Sequence, residues 1–411
     1  MGMLYNVLDV QQICRMFANV TSTPAIRPMS TNPGGVVDAA DLIGRDRELA
    51  RLQRSVNTGG AKMLGDRRMG KTSLLHVVSN SLDEAGHTVI RISAEARDPE
   101  KFSRDLVAEM RRNRVLREHV QRWEADLGGE LKVNVGVGGL RLTGKAVRSR
   151  VEVEDDLFRA CADACRHLKP YRLVFVFDEI TALASRLGRL VPDGPEEFLR
   201  SLRVPRQELS GISMIFAGSV GLHHVLSEQS PVNDLDPVTV GPLSQPDALY
   251  LARCLLRGIG VPEADDVPAA KSIVEQTCAI PFYIHRLVQD LAERGANRLT
   301  EADIVATVDD ALRDDRWEMQ HYRDRIPRYY GDDAELVRSM LDEYAAADQP
   351  LTVENIVARL ASTELAQHAR RPKVLSLVGR LEDDHYLVRV GAADRFATSL
   401  LRRAWLEMRR R

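Results

Sequence analysis

Gly65-Asp66-Arg67-Arg68-Met69-Gly70-Lys71-Thr72 satisfies the spacing G-x-x-x-x-G-K-[ST], and the chemistry open to such a segment is holding phosphate. Its glycines let the chain wrap until backbone N–H groups point inward, and a helix opening at Ser73 would add the partial positive charge of its N-terminus. Lys71 is then expected to reach β- and γ-phosphates, with the hydroxyl of Thr72 on Mg²⁺. Further along, Leu173-Val174-Phe175-Val176-Phe177 runs into Asp178-Glu179, an apolar strand that ends in two carboxylates. Asp178 would hold Mg²⁺ through water, and Glu179 would accept a proton from the attacking water. A second apolar run, Ile212 to Ala217, ends at Gly218-Ser219, where Ser219 would sense the γ-phosphate or orient the water, or merely complete a turn. The set predicts ATP or ADP with Mg²⁺ as ligands and slow ATP hydrolysis.

The elements that must position these residues are legible as alternating patterns. Apolar Leu49, Leu52 and Val56 follow Asp46 at helical spacing, and a short strand from Ala61 leads into the glycine loop. Strands at 88–93, 173–177, 212–217 and 238–240 alternate with helices, including long ones expected over 99–124 and 154–168. Uninterrupted apolar runs suit a parallel sheet buried on both faces. Val133, Val135 and Val137 at period two, before Gly138-Gly139 and Leu140-Arg141-Leu142, predict an inserted β-hairpin at about 130–143. The fold expected over 41–243 is therefore an α/β P-loop domain. Residues 1–40, ending in a Ser/Thr/Pro/Gly-rich stretch, read as an arm and flexible linker. Residues 244–325 read as wholly helical, a lid, and 330–411 as three helices followed by a two-stranded wing, the plan of a winged helix.

Composition narrows the function classes. The chain has 411 residues, 57 basic and 59 acidic, so its net charge of −2 offers no global attraction to nucleic acid or anionic membrane. Cys14, Cys161, Cys165, Cys254 and Cys278 form no paired CxxC spacing, and five is an odd number for a disulfide framework. Cys161 and Cys165, four apart, could share a helix face, but small buried hydrophobes are the commoner use of cysteine. With no run of 18 apolar residues and no basic start leading into a long apolar stretch, no membrane contact is expected, and the cytoplasm is the expected location.

Taken together, the motifs resemble the P-loop ATPases related to AAA+ proteins, in the archaeal-ATPase and STAND (signal-transducing ATPase) branch. Leu42-Ile43-Gly44-Arg45-Asp46-Arg47-Glu48-Leu49 is similar to that family's IGRE-x-EL opening, whose backbone borders adenine, which implies Ile43, Gly44 and Arg45 as nucleotide neighbours. Residues 65–73, through Ser73, look like its GxRRxGKTS loop. Ala217-Gly218-Ser219-Val220-Gly221-Leu222 and Val240-Gly241-Pro242-Leu243-Ser244 resemble the segment after its sensor strand and the lead-in to its helical lid. Ala279-Ile280-Pro281 matches the lid's G-x-P with alanine for glycine, so the resemblance implies Pro281 against the nucleotide, and Arg286 one turn later as a phosphate sensor or a solvated helix charge. Ring-forming relatives place an arginine finger after the sensor strand, whereas Val220 to Pro237 contains neither arginine nor lysine. That departure implies slow, gated turnover unless Arg203 or Arg206 substitutes.

Three functions follow. In the first, nucleotide state toggles lid and winged helix and controls homo-oligomer assembly or a partner protein. In the second, the chain is a DNA-associated loader or regulator whose winged helix binds duplex DNA through Arg370, Arg371, Lys373 and Arg380, although a solvated helix face accounts for these charges equally well. In the third, the chain is a non-hydrolysing scaffold, which Lys71, Thr72, Asp178 and Glu179 together argue against.

Overall fold

The computed structural model describes residues 25–94, 99–126, 132–136, 139–145, 152–158, 160–161, 170–191, 193–209, 211–218, 224, 231–295, 299–361, 364 and 366–410. The first half alternates as expected. Helix α1 (Asp46–Ser55) precedes β1 (Gly60–Leu64), α2 (Lys71–Glu84) and β2 (Thr88–Ser93). Then come α3 (Pro99–Arg112) and α4 (Arg117–Asp126), where one helix was expected. Asn113 divides them, its Oδ1 accepting from the backbone N–H groups of Val115 and Leu116 at 3.0 and 3.2 Å.

The inserted hairpin is β3 (Lys132–Gly136) with β4 (Gly139–Lys145), but a third strand, β5 (Glu152–Asp156), pairs antiparallel with β4. This corrects the helix expected over 154–168, whose first residues belong to β5. Leu157, Phe158 and Cys161 are buried at helical spacing, and that apolar pattern extends back in sequence over an acidic segment that pairs with β4. Next follow β6 (Leu173–Asp178), α5 (Ile180–Leu190), α6 (Gly194–Glu208), β7 (Ile212–Ala217) and β8 (Asp236–Thr239).

The central sheet is parallel in the order β2-β6-β7-β1-β8. β6 and β7 are buried along their whole length, as their unbroken apolar sequence requires. Period two divides β6 between the two cores. Val174 and Val176 join one face, while Leu173, Phe175 and Phe177 join the other, where Phe102, Leu106, Phe198 and Leu202 pack. In an open parallel sheet, ligands bind beyond the carboxyl ends of the strands. Here those ends deliver Gly65, Asp178, Gly218 and Gly241 to one rim.

Helices α7 (Gln245–Gly258), α8 (Glu263–Thr277), α9 (Pro281–Glu293) and α10 (Glu301–Arg313) form the lid. Short helices α11 (His321–Asp324) and α12 (Ile326–Tyr330) lead to α13 (Ala334–Ala346), α14 (Val353–Leu360) and α15 (Arg371–Asp383), then the antiparallel pair β9 (Leu387–Val390) and β10 (Ala393–Phe396). Leu351 and Asp394 exchange backbone hydrogen bonds of 2.8 and 2.9 Å, tying the wing to the segment before α14. The order is the winged-helix plan with one addition, α16 (Ser399–Arg410). Arg403 on α16 bonds Asp309 at 2.5 Å and also Gln276, so the last helix seats against the lid. Lid, C-terminal helices and the α2 side of the sheet share a single core that includes Leu74, Ile215, Leu255, Ile284, Leu377 and Trp405.

The flexible-linker reading of residues 1–40 is corrected for residues 25–40; residues 1–24 lie outside the described residues. Met29 N donates to Cys254 O at 2.9 Å, Asn32 N to His285 Nδ1 at 3.1 Å, and Arg27 reaches Asp41 at 2.6 Å. The segment is pinned to the lid at single points, the N–H groups of Met29 and Asn32 and the buried Met29 side chain, and these leave no apolar period in its sequence. Among the described residues, no helix is long and apolar enough to cross a membrane.

Candidate nucleotide-binding cleft

β1 ends at Leu64 and the chain turns into the loop at Gly65, whose φ is +149°. A Cβ there would lie 2.2 Å from the Val240 carbonyl oxygen, so only glycine lets the loop pass β8. Gly70 (φ +87°) starts α2, and Arg68 between them is also left-handed at +69°. Glu179 (+55°), Ala279 (+58°) and Glu318 (+54°) share that conformation. Left-handed backbone costs a non-glycine residue about 1 kcal/mol or more, and Arg68, Glu179 and Glu318 carry that cost on the cleft wall itself. Ala279 stands where the resembled lid motif has glycine, and its φ is the one glycine would favour.

The cleft has a volume of about 420 Å³. Ile43, Arg45, Arg67, Arg68, Met69, Gly70, Lys71, Thr72, Ser73, Glu179 and Pro281 line it. Sequence reasoning missed the rest of the wall: Asn32, residues 34–37, Asp41, Leu42, Leu243, Leu251, Phe282, His285 and Glu318. The signal that could have found Phe282 and His285 is their spacing from Pro281 on the first turn and a half of α9.

Lys71 is buried, and its Nζ donates to Gly65 O at 2.8 Å and Asp66 O at 2.6 Å. Burial lowers its pKa, opposed by the charges of Glu179, Asp66 and Asp178. Asp178 is buried at the end of β6, and its Oδ1 has no hydrogen-bond partner. Burial raises its pKa, while the Thr72 hydroxyl pulls it down. An orphaned carboxylate oxygen beside a threonine hydroxyl suits a hard cation. Among the described residues no three His, Cys, Asp or Glu side chains gather as a metal cage. Mg²⁺ needs none, because it takes one or two protein oxygens and completes its shell with phosphate and water. Arg91 on β2, unremarked in the sequence, donates to Thr72 O at 3.2 Å and feels the Asp178 charge.

Arg45 is buried, and its guanidinium donates to Met69 O at 2.9 Å, Gly241 O at 2.6 Å and Glu48 at 3.2 Å. Its side chain therefore braces the loop against the β8 exit. Gly44 (φ +68°) lies against Asp247 rather than on the cleft wall, where a Cβ would approach to 2.6 Å. Ser73 Oγ accepts from Val37 N at 3.4 Å. Asp66 turns away from the cleft: it accepts from Arg67 N at 2.7 Å and from the Tyr322 hydroxyl at 2.5 Å.

Arg286, read as a phosphate sensor or a helix charge, pairs with Asp290 at 3.4 Å, one turn on along its own helix, and is not part of the cleft wall. Ser219 lies outside the described residues. Arg206, offered as a substitute finger, is buried, bonded to Asp234 at 3.0 Å and held over the Phe216 ring, so it is committed to the fold. Arg203 lies 3.7 Å from the same Asp234. Cys161 and Cys254 are buried and Cys278 is half-buried; Cys14 and Cys165 lie outside the described residues.

No protein-family model matches the chain, and no curated protein matches it. Solved structures do. A Walker-type ATPase of Pyrococcus abyssi is similar at a TM-score of 0.58 and 20 % identity, covering 93 % of this chain and 99 % of that one. The ORC2 protein of Aeropyrum pernix, solved with ADPNP and ADP, matches at 0.48 and 11 % identity over 92 % and 97 %. Cdc6p of Pyrobaculum aerophilum matches at 0.39 and 12 % identity over 92 % and 96 %. The fold assignment rests on the first of these and on the strand order above. The chain has the fold of the AAA+-type P-loop ATPases.

Proposed function

We propose that the chain is a Mg²⁺-dependent, ATP-binding and slowly ATP-hydrolysing switch whose nucleotide state controls self-assembly or engagement of a partner protein. The observation that carries this reading is the convergence of Lys71, Thr72, Asp178 and Glu179 at one rim of the sheet, under the first turn of α9.

In this reading, the loop's N–H groups and the N-terminus of α2 bind the phosphates, and Lys71 exchanges its two loop carbonyls for phosphate oxygens. Bound Mg²⁺ would neutralise phosphate charge, held by Thr72 Oγ1 and by the orphaned Asp178 Oδ1. Glu179 is fixed at the start of α5 and would accept the proton of the attacking water. Residues 34–37, with Phe282 and Pro281, would cover the base and exclude water. With Arg206 locked on Asp234, nothing in this set supplies a finger, which supports slow turnover. The Cys254 and Cys278 thiols, outside any disulfide, suit a reducing cytoplasm.

The duplex-DNA reading loses support from charge pairing. Arg371 binds Glu354 at 2.9 Å, Lys373 binds Asp333 at 2.6 Å, and Arg380 donates to Tyr329 O at 2.9 Å while lying over the Tyr330 ring. Three of the four candidate phosphate contacts are thus already engaged within the chain.

Turnover of Mg·ATP tests the site. Lys71→Ala should abolish turnover and weaken binding, whereas Glu179→Gln should abolish turnover with binding kept. Unchanged rates in both would overturn the assignment.

A further inference from the structure

Asp66 has no part in the phosphate chemistry proposed above, yet its side chain is tied to the segment that leaves the lid. Its carboxylate is 6 % exposed. Besides Arg67 N and the Tyr322 hydroxyl, it faces Arg325, whose Nη1 lies 3.4 Å from Oδ1. Tyr322 and Arg325 belong to the segment that leaves the lid for the C-terminal unit.

Arg325 joins that segment to the wing. Its guanidinium lies 4.7 Å from the Tyr322 ring centre and 4.6 Å from that of Tyr386. Nε donates to the Tyr386 hydroxyl at 2.8 Å, and Nη2 to Asp384 O at 3.0 Å. The Tyr386 hydroxyl donates in turn to the Tyr322 carbonyl, closing the circuit. Tyr386 is fully buried immediately before β9. A second strand of contacts runs beside it: Arg68 donates to Tyr283 Oη at 3.2 Å and to Trp317 O, and pairs with Glu318 on the cleft wall.

We infer that Asp66 and Arg325 form a latch through which the seated C-terminal unit holds the phosphate loop and slows nucleotide release. The inference rests on the nucleotide reading above. Parting a buried carboxylate from its buried cation gives up their mutual attraction and, wherever either half stays covered, leaves a charge without a partner. The segment 317–330 therefore does not lift from the loop on its own, and Glu318 leaves the cleft wall only when the wing leaves with it. Coupling runs both ways by linkage: whatever draws the C-terminal unit off the latch loosens the loop, and whatever remodels the loop weakens the seating of that unit. Phosphate that draws Lys71 Nζ from Gly65 O and Asp66 O takes a cation from the latch residue itself. Asp66 and Arg325 are thus positioning residues for the loop.

The test is release of a fluorescent ADP, followed by stopped flow, from wild type, Asp66→Asn, Arg325→Met, the double variant and Tyr386→Phe. Hydrogen exchange of residues 322–330 and 384–390 is measured on the same proteins. Each charge variant should speed release about tenfold or more, the double should be no faster than the faster single, and exchange should rise in both segments together. Tyr386→Phe keeps the ring and the fold, loses only the hydroxyl, and should shift release and exchange in the same direction by less. It decides the matter where a charge variant does not fold. Faster exchange with release within twofold of wild type, or independent effects that multiply in the double variant, would overturn the latch while leaving the nucleotide site standing. Failure of wild type to take up the fluorescent ADP would overturn the nucleotide reading, and the latch with it.

Discussion

Replacing Arg45 by methionine removes the brace between the phosphate loop and the β8 exit while keeping most of the stem's volume. Three charge-assisted bonds are lost, to Met69 O, Gly241 O and Glu48. Bonds to a charged donor contribute about 1.5–3 kcal/mol each, but Arg45 is 4 % exposed, and burying its charge already costs part of that gain. Burial accordingly lowers the Arg45 pKa, with Glu48 opposing the shift. What remains is mainly the cost of leaving Met69 O buried and unpaired, since Gly241 O is reached by solvent. A net loss of about 2–4 kcal/mol is expected, an apparent melting shift of roughly 5–15 °C for a domain of this size. Arg45→Lys keeps the charge but cannot span both carbonyls, so it should restore less than half of the loss. Thermal and urea unfolding of the three proteins measures this, and ADP affinity should fall in parallel because Met69 belongs to the loop. A loss below about 1 kcal/mol, or full rescue by lysine, would refute the reasoning.

Arg206→Met should lower stability by about 3 kcal/mol, by stranding Asp234, and leave ATP turnover per folded molecule within twofold. A fall of a thousandfold in turnover would instead mark Arg206 as a finger. Stability should also decline in mild acid. Burial pushes the pKa of His285 down to about 4 from 6.5, so the unfolded chain takes up the proton first. The stability is present above about pH 6.5 and is lost as pH falls toward 4, by about 2–3 kcal/mol. His285→Asn keeps an acceptor for Asn32 N and should flatten that part of the pH profile, which urea midpoints between pH 4 and 7 would show.

What the sequence made legible was local or periodic. The phosphate loop is eight consecutive residues whose geometry follows from glycine, and β6 and β7 announce themselves because both faces are buried. Segments without an apolar period escaped: residues 25–40 attach to the lid at single points, and the acidic β5 joins its sheet as an edge strand on β4. Helices α5 and α6 were passed over, although Leu183, Leu187, Phe198 and Leu202 bury at helical spacing. Helix α16 was passed over as well; its arginines at 402, 403, 409 and 410 masked the buried stripe of Leu401, Ala404, Trp405 and Met408. The contact of Asp66 with Tyr322 and Arg325 joins residues more than 250 positions apart, and no local pattern encodes such a pairing.

The central claim is that nucleotide state alone changes what the chain assembles with. Mass determination in solution tests it most directly, on the protein without nucleotide, with Mg·ADP and with a non-hydrolysable Mg·ATP analogue, each with and without duplex DNA. The account predicts a nucleotide-dependent change in mass without DNA, absent in Lys71→Ala. A mass indifferent to nucleotide, together with tight, salt-sensitive binding to duplex, would contradict it and favour the DNA-bound reading.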